Sequence, residues 1–155
     1  MTKKFFMFAA MLMAVAAVTF TGCKKDEPKQ TMTVTWTESD LQNIDLSEAG
    51  ETYTAKGVTL TVIDGTVNGT SWKSGDRLGV YFNGRKENEP SFTFTTTEGK
   101  GKFCKIVMAT GTYYNYDAEA WKLGDEGAVW TGYTDKVGFG PQFYSVEEII
   151  FYIEK

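Results

Sequence analysis

Histidine is absent from the 155-residue sequence. Its absence excludes serine–histidine and cysteine–histidine catalysis, histidine-ligated zinc and pH switching by an imidazole. The chemistry that remains is acid/base work by carboxylates, chemistry at tyrosine or lysine, and calcium binding by oxygen ligands. The aspartates that could hold calcium are Asp64, Asp76, Asp117, Asp125 and Asp135. They are scattered and follow no EF-hand spacing, so no metal site or cofactor is assigned.

Basic residues are fewer than acidic ones, 16 against 20, and the formal net charge is −4. Residues 1–22 carry two lysines and no acid, so the chain from residue 23 onward has 14 basic and 20 acidic residues and a charge of −6. Nucleic-acid binding is therefore disfavoured, because it needs basic residues to neutralise phosphates. The length suits one domain, which we place at residues 32–155.

Residues 1–22 have the layout of a secretory signal peptide. Lys3 and Lys4 precede an uncharged apolar stretch from Phe5 to Val18, and small residues lie directly before Cys23. The stretch is short for a membrane-spanning helix. A retained N-terminal membrane helix is therefore the less favoured alternative.

Thr21-Gly22-Cys23 resembles the lipobox of bacterial lipoproteins, although a smaller aliphatic residue is usual where Phe20 stands. The resemblance implies cleavage before Cys23, lipid on its thiol and membrane attachment through acyl chains. Residues 24–27 resemble the short signal that routes lipoproteins of Bacteroidetes-type bacteria to the outer face of the outer membrane. We therefore expect residues 23–31 to be a lipidated, flexible tether, and the protein to be an outer-membrane lipoprotein that faces the cell exterior.

Only two cysteines are present, Cys23 and Cys104. Lipidation of Cys23 leaves Cys104 alone, so no disulfide framework is expected. Cys104 lies in a predicted strand without an activating histidine. We expect it to be a small buried hydrophobe and not a nucleophile.

Beyond the tether, apolar residues alternate with polar ones and do not recur at helical spacing, which indicates β-strands. Strands are predicted at 32–36, 58–62, 77–82, 91–95, 102–109, 128–131, 136–139 and 146–153, with glycine-containing turns between them. Short helical turns fit only 40–49 and 117–123. Eight or so antiparallel strands predict an all-β, antiparallel β-sandwich of jelly-roll type.

The order of these strands, together with Trp130-Thr131-Gly132, resembles a jelly-roll module of secreted and surface proteins in Bacteroidetes-type bacteria. The similarity spans about residues 50 to 155. It rests on the segments 57–61, 92–94, 101–106, 130–132, 137–139 and 146–151. It implies a fold and a surface setting but supplies no ligand residues, because that family is functionally uncharacterised.

The span from Thr110 to Gly127 is long for a hairpin loop and mixes aromatic with acidic residues. Its aromatic members are Tyr113, Tyr114, Tyr116 and Trp121, and its acids include Asp117, Glu119 and Asp125. Sugar rings stack on flat aromatics while carboxylates and amides bind their hydroxyl groups, so this mixture favours a glycan site. The alternative is that the tyrosines pin the loop to the sandwich.

A second candidate region is the loop 68–76, in which Trp72 could be an exposed platform or a lid over the core. Asn83, Arg85 and Lys86 follow after the next predicted strand.

An enzyme is not expected. Asp117 and Glu119 are two residues apart and would share one face of a strand, whereas glycosidase carboxylates flank the bond from opposite sides. The leading hypothesis is a non-catalytic surface module that binds a glycan, or a host or partner protein. The alternative is a structural or assembly lipoprotein that docks on another envelope protein, and a glycan hydrolase is less favoured.

Overall fold

The structure is a computed structural model that describes residues 29–69, 79–110, 112–115, 117 and 119–155. The signal, Cys23, Trp72 and Tyr116 lie outside these residues, so the predictions about them stay predictions. Within the described residues, no helix is long and apolar enough to cross a membrane.

The described chain forms fourteen β-strands and one short α-helix. In chain order they are β1 Thr31–Trp36, α1 Glu38–Leu41, β2 Asp45–Leu46, β3 Thr52–Ala55, β4 Val58–Val62, β5 Gly65–Asn68, β6 Val80–Gly84, β7 Phe92–Thr96, β8 Lys102–Met108, β9 Thr112–Asn115, β10 Trp121–Gly124, β11 Gly127–Thr134, β12 Lys136–Phe139, β13 Pro141–Val146 and β14 Ile149–Glu154. The paired strands run antiparallel, so the predicted all-β antiparallel sandwich is confirmed.

Three sheets build the sandwich. Sheet 1 has the order β1-β14-β8-β11-β10, sheet 2 the order β12-β7-β4-β3, and sheet 3 the order β2-β5-β6-β13-β9. The chain passes between sheets 2 and 3 four times, from β2 to β3, from β4 to β5, from β6 to β7 and from β12 to β13, and these strands keep the same lateral order in both sheets. Sheets 2 and 3 are therefore one broken layer that packs on sheet 1.

The break line, as we name the boundary between sheets 2 and 3, is made by residues 63–65, 84–91 and 140–141. The backbone N–H groups of Ile63 and Asp64 donate to the carbonyl of Ser91, at 2.9 and 3.2 Å. The N–H of Ser91 in turn donates to the carbonyl of Phe139, at 3.1 Å. Gly65 adopts φ +149, and a Cβ there would lie 2.5 Å from the carbonyl oxygen of Asn83. Backbone hydrogen bonds thus hold the two sheets together where their ladders stop.

Aromatic rings fill the space between the layers. Phe139 stacks on Phe94 with ring centroids 4.6 Å apart. It also contacts four more rings from all three sheets: Phe82, Phe92, Trp121 and Phe143. The aromatic residues that alternate with polar ones along the strands are buried, as expected of strands that cover a core. They are Trp36, Phe92, Phe94, Trp130, Phe139 and Phe151.

Cys104 in β8 is buried, as expected of a small hydrophobe. Its sulfur lies 3.3 Å from the carbonyl oxygen of Tyr152, and it is disulfide-bonded, so the expectation of no disulfide is wrong.

One residue separates α1 from β1, and α1 overlaps the predicted helical segment 40–49 only at residues 40 and 41. Its residue Asp40 accepts hydrogen bonds from the backbone N–H of Thr37, at 2.8 Å, and from the ammonium group of Lys56, at 2.6 Å. Burial acts to raise the pKa of Asp40, but these hydrogen bonds outweigh it and lower the pKa below its usual value. The ion pair therefore ties α1 to the turn between β3 and β4.

Candidate functional site

Tyr113 and Tyr114 point to opposite faces of β9, the last strand of sheet 3. Tyr113 lies opposite Phe143 of β13 and stacks on it at 5.1 Å, so it covers the core. Tyr114 lies opposite Gln142, and 56% of its surface is exposed. Because successive side chains of a strand point to opposite faces, only Tyr114 of this pair is exposed to a ligand.

Trp121 is a core residue, which corrects its prediction as a ligand-binding side chain. It begins β10 opposite Trp130, is 1% exposed and packs edge-on against Phe143 at 5.5 Å. Its indole N–H donates to the carbonyl of Gly138, at 3.2 Å. A ring whose faces and polar edge are already satisfied inside the protein cannot stack on a sugar.

The expectation of one long loop from Thr110 to Gly127 is also wrong, because β9 and β10 lie within it. The turn between them uses Asp117, whose carboxylate oxygen accepts from the N–H groups of Glu119 and Ala120, at 3.1 and 3.0 Å. This is the local hydrogen bonding by which aspartate stabilises turns. Asp117 therefore shapes the turn, and Glu119 is exposed on it.

Asn115 is a buried polar residue that sequence reasoning missed. Its amide nitrogen donates to the carbonyl of Asp117, at 2.6 Å, and its amide oxygen accepts from the N–H of Gly140, at 3.0 Å. It thereby fixes the end of β9 to the break line, beside Tyr114. In the alternation of β9, Asn115 falls on the inward face, where an apolar residue is usual. A polar residue at this position is the sequence signal for its role.

A shallow depression of about 240 Å³ opens on the break line. It is lined by Gly84, Arg85, Glu87, Tyr114, Pro141 and Gln142. Tyr114 comes from the first predicted region and Arg85 from the second, so the fold brings together residues that are far apart in the sequence. Glu87 and Gln142 were not predicted.

Charge at the depression is mixed. The Arg85 side chain is 73% exposed, and its nearest acid, Asp64, is at 4.0 Å. Beside it, the ammonium group of Lys86 donates to Glu89 at 2.9 Å. This hydrogen bond raises the pKa of Lys86 and lowers the pKa of Glu89, so both groups are charged at neutral pH.

The lining therefore offers an aromatic face, a guanidinium donor, a carboxylate acceptor and an amide that does both. Glu87 is the one carboxylate among the lining residues. In the part of the chain that the structure describes, no group of three or more acidic, cysteine or histidine side chains could hold a metal ion. The arrangement is suited to hydrogen bonding and stacking.

Comparisons with protein-family models, with curated proteins and with solved structures find no match to this chain.

Proposed function

We propose that this protein is a lipid-anchored, non-catalytic module of the outer cell surface that binds a glycan at the depression around Tyr114. The observation that carries the proposal is the pairing of an exposed tyrosine with Arg85, Glu87 and Gln142 in one depression. Attachment rests on the lipobox-like sequence that ends at Cys23.

The chemistry of the lining matches a sugar. The apolar C–H face of a pyranose stacks on a flat aromatic ring, and Tyr114 is the exposed ring here. Hydroxyl groups both donate and accept, so they need the mixed set that Arg85, Glu87 and Gln142 provide. A volume of about 240 Å³ is below the range of pockets that enclose drug-sized ligands, roughly 300–1,000 Å³. It suits one sugar residue held at the surface.

Binding without hydrolysis is the better-supported activity. Glycosidases need two carboxyl groups roughly 5–10 Å apart across the scissile bond. Glu87 has no carboxylate partner among the residues that line the depression, and Asp117 is engaged by the backbone of its own turn.

Docking on another envelope protein is the alternative, and one observation favours it. β9 is one of the two edge strands of sheet 3 in the described part of the chain, and an edge strand can pair with a strand of another chain. A contiguous apolar patch would support it further. Among the described residues the large exposed hydrophobics are Tyr114, Leu123 and Tyr133, and they lie on three different strands.

A glycan array with the full chain, purified in detergent, tests the proposal. We expect Tyr114→Ala to weaken binding of any glycan hit by roughly tenfold, about 1.4 kcal/mol, because the stacking surface is lost. Tyr133→Ala is the matched control, since Tyr133 is a similarly exposed tyrosine, at 50%, on another strand. It should leave binding unchanged.

The proposal fails if no glycan binds, or if Tyr114→Ala binds as tightly as the wild type. Capture of one envelope protein from solubilised membranes, lost when β9 carries a proline, would favour the docking alternative.

A further inference from the structure

Charge is distributed unevenly between the two ends of sheet 1. β11 and β14 both pair antiparallel with β8, so they run in the same direction. The residues directly before them are acidic: Asp125 and Glu126 precede β11, and Glu147 and Glu148 precede β14.

The opposite end of sheet 1 is rich in lysine, and we call it the lysine end. Its exposed ammonium groups belong to Lys29, Lys100, Lys102, Lys136 and Lys155, and its exposed acids are Glu98 and Asp135. The whole chain has more acids than bases. A lysine-rich end on an acidic protein therefore makes the molecule electrically polar.

Tyr133 lies among these lysines. The ammonium groups of Lys29 and Lys102 are 4.8 and 5.2 Å from its ring centroid. Lys29 also lies 3.7 Å from the carboxylate of buried Glu154, and this ion pair offsets part of the positive charge of Lys29. An exposed tyrosine ring bordered by lysines is the composition found where proteins meet the headgroup region of a bilayer.

A recess of about 530 Å³ opens at the same end, between the β7–β8 turn and the last residue of the chain. Lys102 and Lys155 are in its wall, together with Glu98 and Asp135. The hydroxyl group of Thr96 donates to the carbonyl of Gly101, at 2.7 Å, and so holds the turn that forms one side. The wall thus holds two lysines and two acids, and the excess of positive charge at this end comes from Lys100 and Lys136 beside it.

The tether leads to this end. Six residue steps lead from Cys23 to Lys29, and a fully extended chain spans at most about 3.5 Å per step, or about 20 Å in all. Lipid on Cys23 would therefore hold Lys29 and Tyr133 close to the bilayer. This step rests on the proposed lipid attachment.

We propose that the lysine end lies against anionic lipid headgroups of the membrane that carries the lipid on Cys23. Lysines near such a surface are attracted to it, and the acidic end of sheet 1 is repelled and points outward.

The glycan site stays clear of lipid in this orientation. β7 and β12 join the lysine end to the break line. Thr96 bonds to Asp135 at one end, and Ser91 bonds to Phe139 at the other. The five residue steps from Ser91 to Thr96 correspond to about 16 Å.

Lysine acetylation on vesicles tests the orientation. The full chain is produced in a bacterium that processes lipoproteins, then reconstituted in phosphatidylcholine vesicles with or without phosphatidylglycerol. After brief treatment with acetic anhydride, labelling of each lysine is measured by mass spectrometry. On the anionic vesicles we expect Lys102, Lys136 and Lys155 to react at least fivefold more slowly than on the neutral ones. Lys122, exposed on β10, is the internal control and should react equally on both.

Two further arms separate the possible failures. Lys102→Glu should reduce the protection of Lys155 while the protein still floats with the vesicles. Equal labelling of Lys102 and Lys155 on both vesicle types, for a protein that floats, would overturn the docking surface and leave the lipid anchor standing. A protein that does not float would overturn both, and neither result depends on glycan binding.

Discussion

Replacement of Trp121 tests whether this side chain belongs to the core or to a binding site. It is 1% exposed, it contacts Phe139 and Phe143, and its N–H bonds to Gly138. Truncation of a buried tryptophan to alanine costs about 3–5 kcal/mol, through lost burial and the cavity left behind. We expect Trp121→Ala to lose that amount of unfolding free energy.

Trp121→Phe separates the two contributions. It keeps an aromatic ring and removes the indole N–H, which leaves the carbonyl of Gly138 without that donor. An unsatisfied buried carbonyl costs about 1–3 kcal/mol, and because Gly138 is half-buried we expect the lower end of that range. The loss for Trp121→Phe should therefore be smaller than for Trp121→Ala and still measurable.

Urea unfolding, followed by circular dichroism, measures both losses. With a slope of about 1.5–2 kcal/mol/M for a domain of this size, Trp121→Ala should lower the midpoint by about 2–3 M. Leu123→Ala is the control, because Leu123 lies on the same strand and is 68% exposed. It should change stability by less than about 0.5 kcal/mol. A loss below about 1 kcal/mol for Trp121→Ala, together with weaker glycan binding, would refute the reasoning.

Two more predictions concern Asp40 and the cysteines. The folded-state pKa of Asp40 lies below its usual value of 3.8, so its ion pair stabilises the protein above that pH and is lost as the pH falls through the folded pKa. Asp40→Asn should therefore cost about 0.5–1 kcal/mol at pH 7 and progressively less below pH ~4, as judged by urea midpoints; a pH-independent difference would contradict this. Cys23→Ala should move the full chain from the detergent phase to the aqueous phase in Triton X-114 partitioning, whereas Cys104→Ala should not. A detergent-phase Cys23→Ala protein would contradict lipid attachment.

The sequence predicted the strands of five or more residues except β13, because each of them buries one face and burial of one face imposes a period of two. Threonines alternate with valine and leucine in β4, and with phenylalanine in β7. Short strands such as β2 and β5 gave no such signal, since two to four residues are too few to establish a period. The glycines of the break line predicted turns, because glycine allows a change in backbone direction. Glycine alone does not indicate whether the chain reverses at that point or continues into another sheet.

The candidate site was predictable only in part. Tyr113 and Tyr114 are adjacent and chemically identical, so the sequence could not say which one the core would take. The sequence placed Trp121 in a loop because it does not show the turn that starts β10. That turn depends on hydrogen bonds of Asn115 to Asp117 and Gly140, and of Asp117 to the N–H of Ala120. Arg85 and Tyr114 line the same depression although they are far apart in the sequence, and this long-range proximity has no local sequence signal.

The break line includes the segment from Arg85 to Pro90, whose ends are held by backbone hydrogen bonds. The N–H of Ser91 donates to the carbonyl of Phe139, the carbonyl of Ser91 accepts from Ile63 and Asp64, and at the other end the N–H of Arg85 donates to the carbonyl of Asp64, at 3.2 Å. Both ends of the segment from Arg85 to Pro90 are therefore held by backbone groups, which do not depend on the side chains within it. We expect side-chain exchanges within residues 86–90 to leave the register of both sheets unchanged, which makes this segment a place to graft a recognition loop.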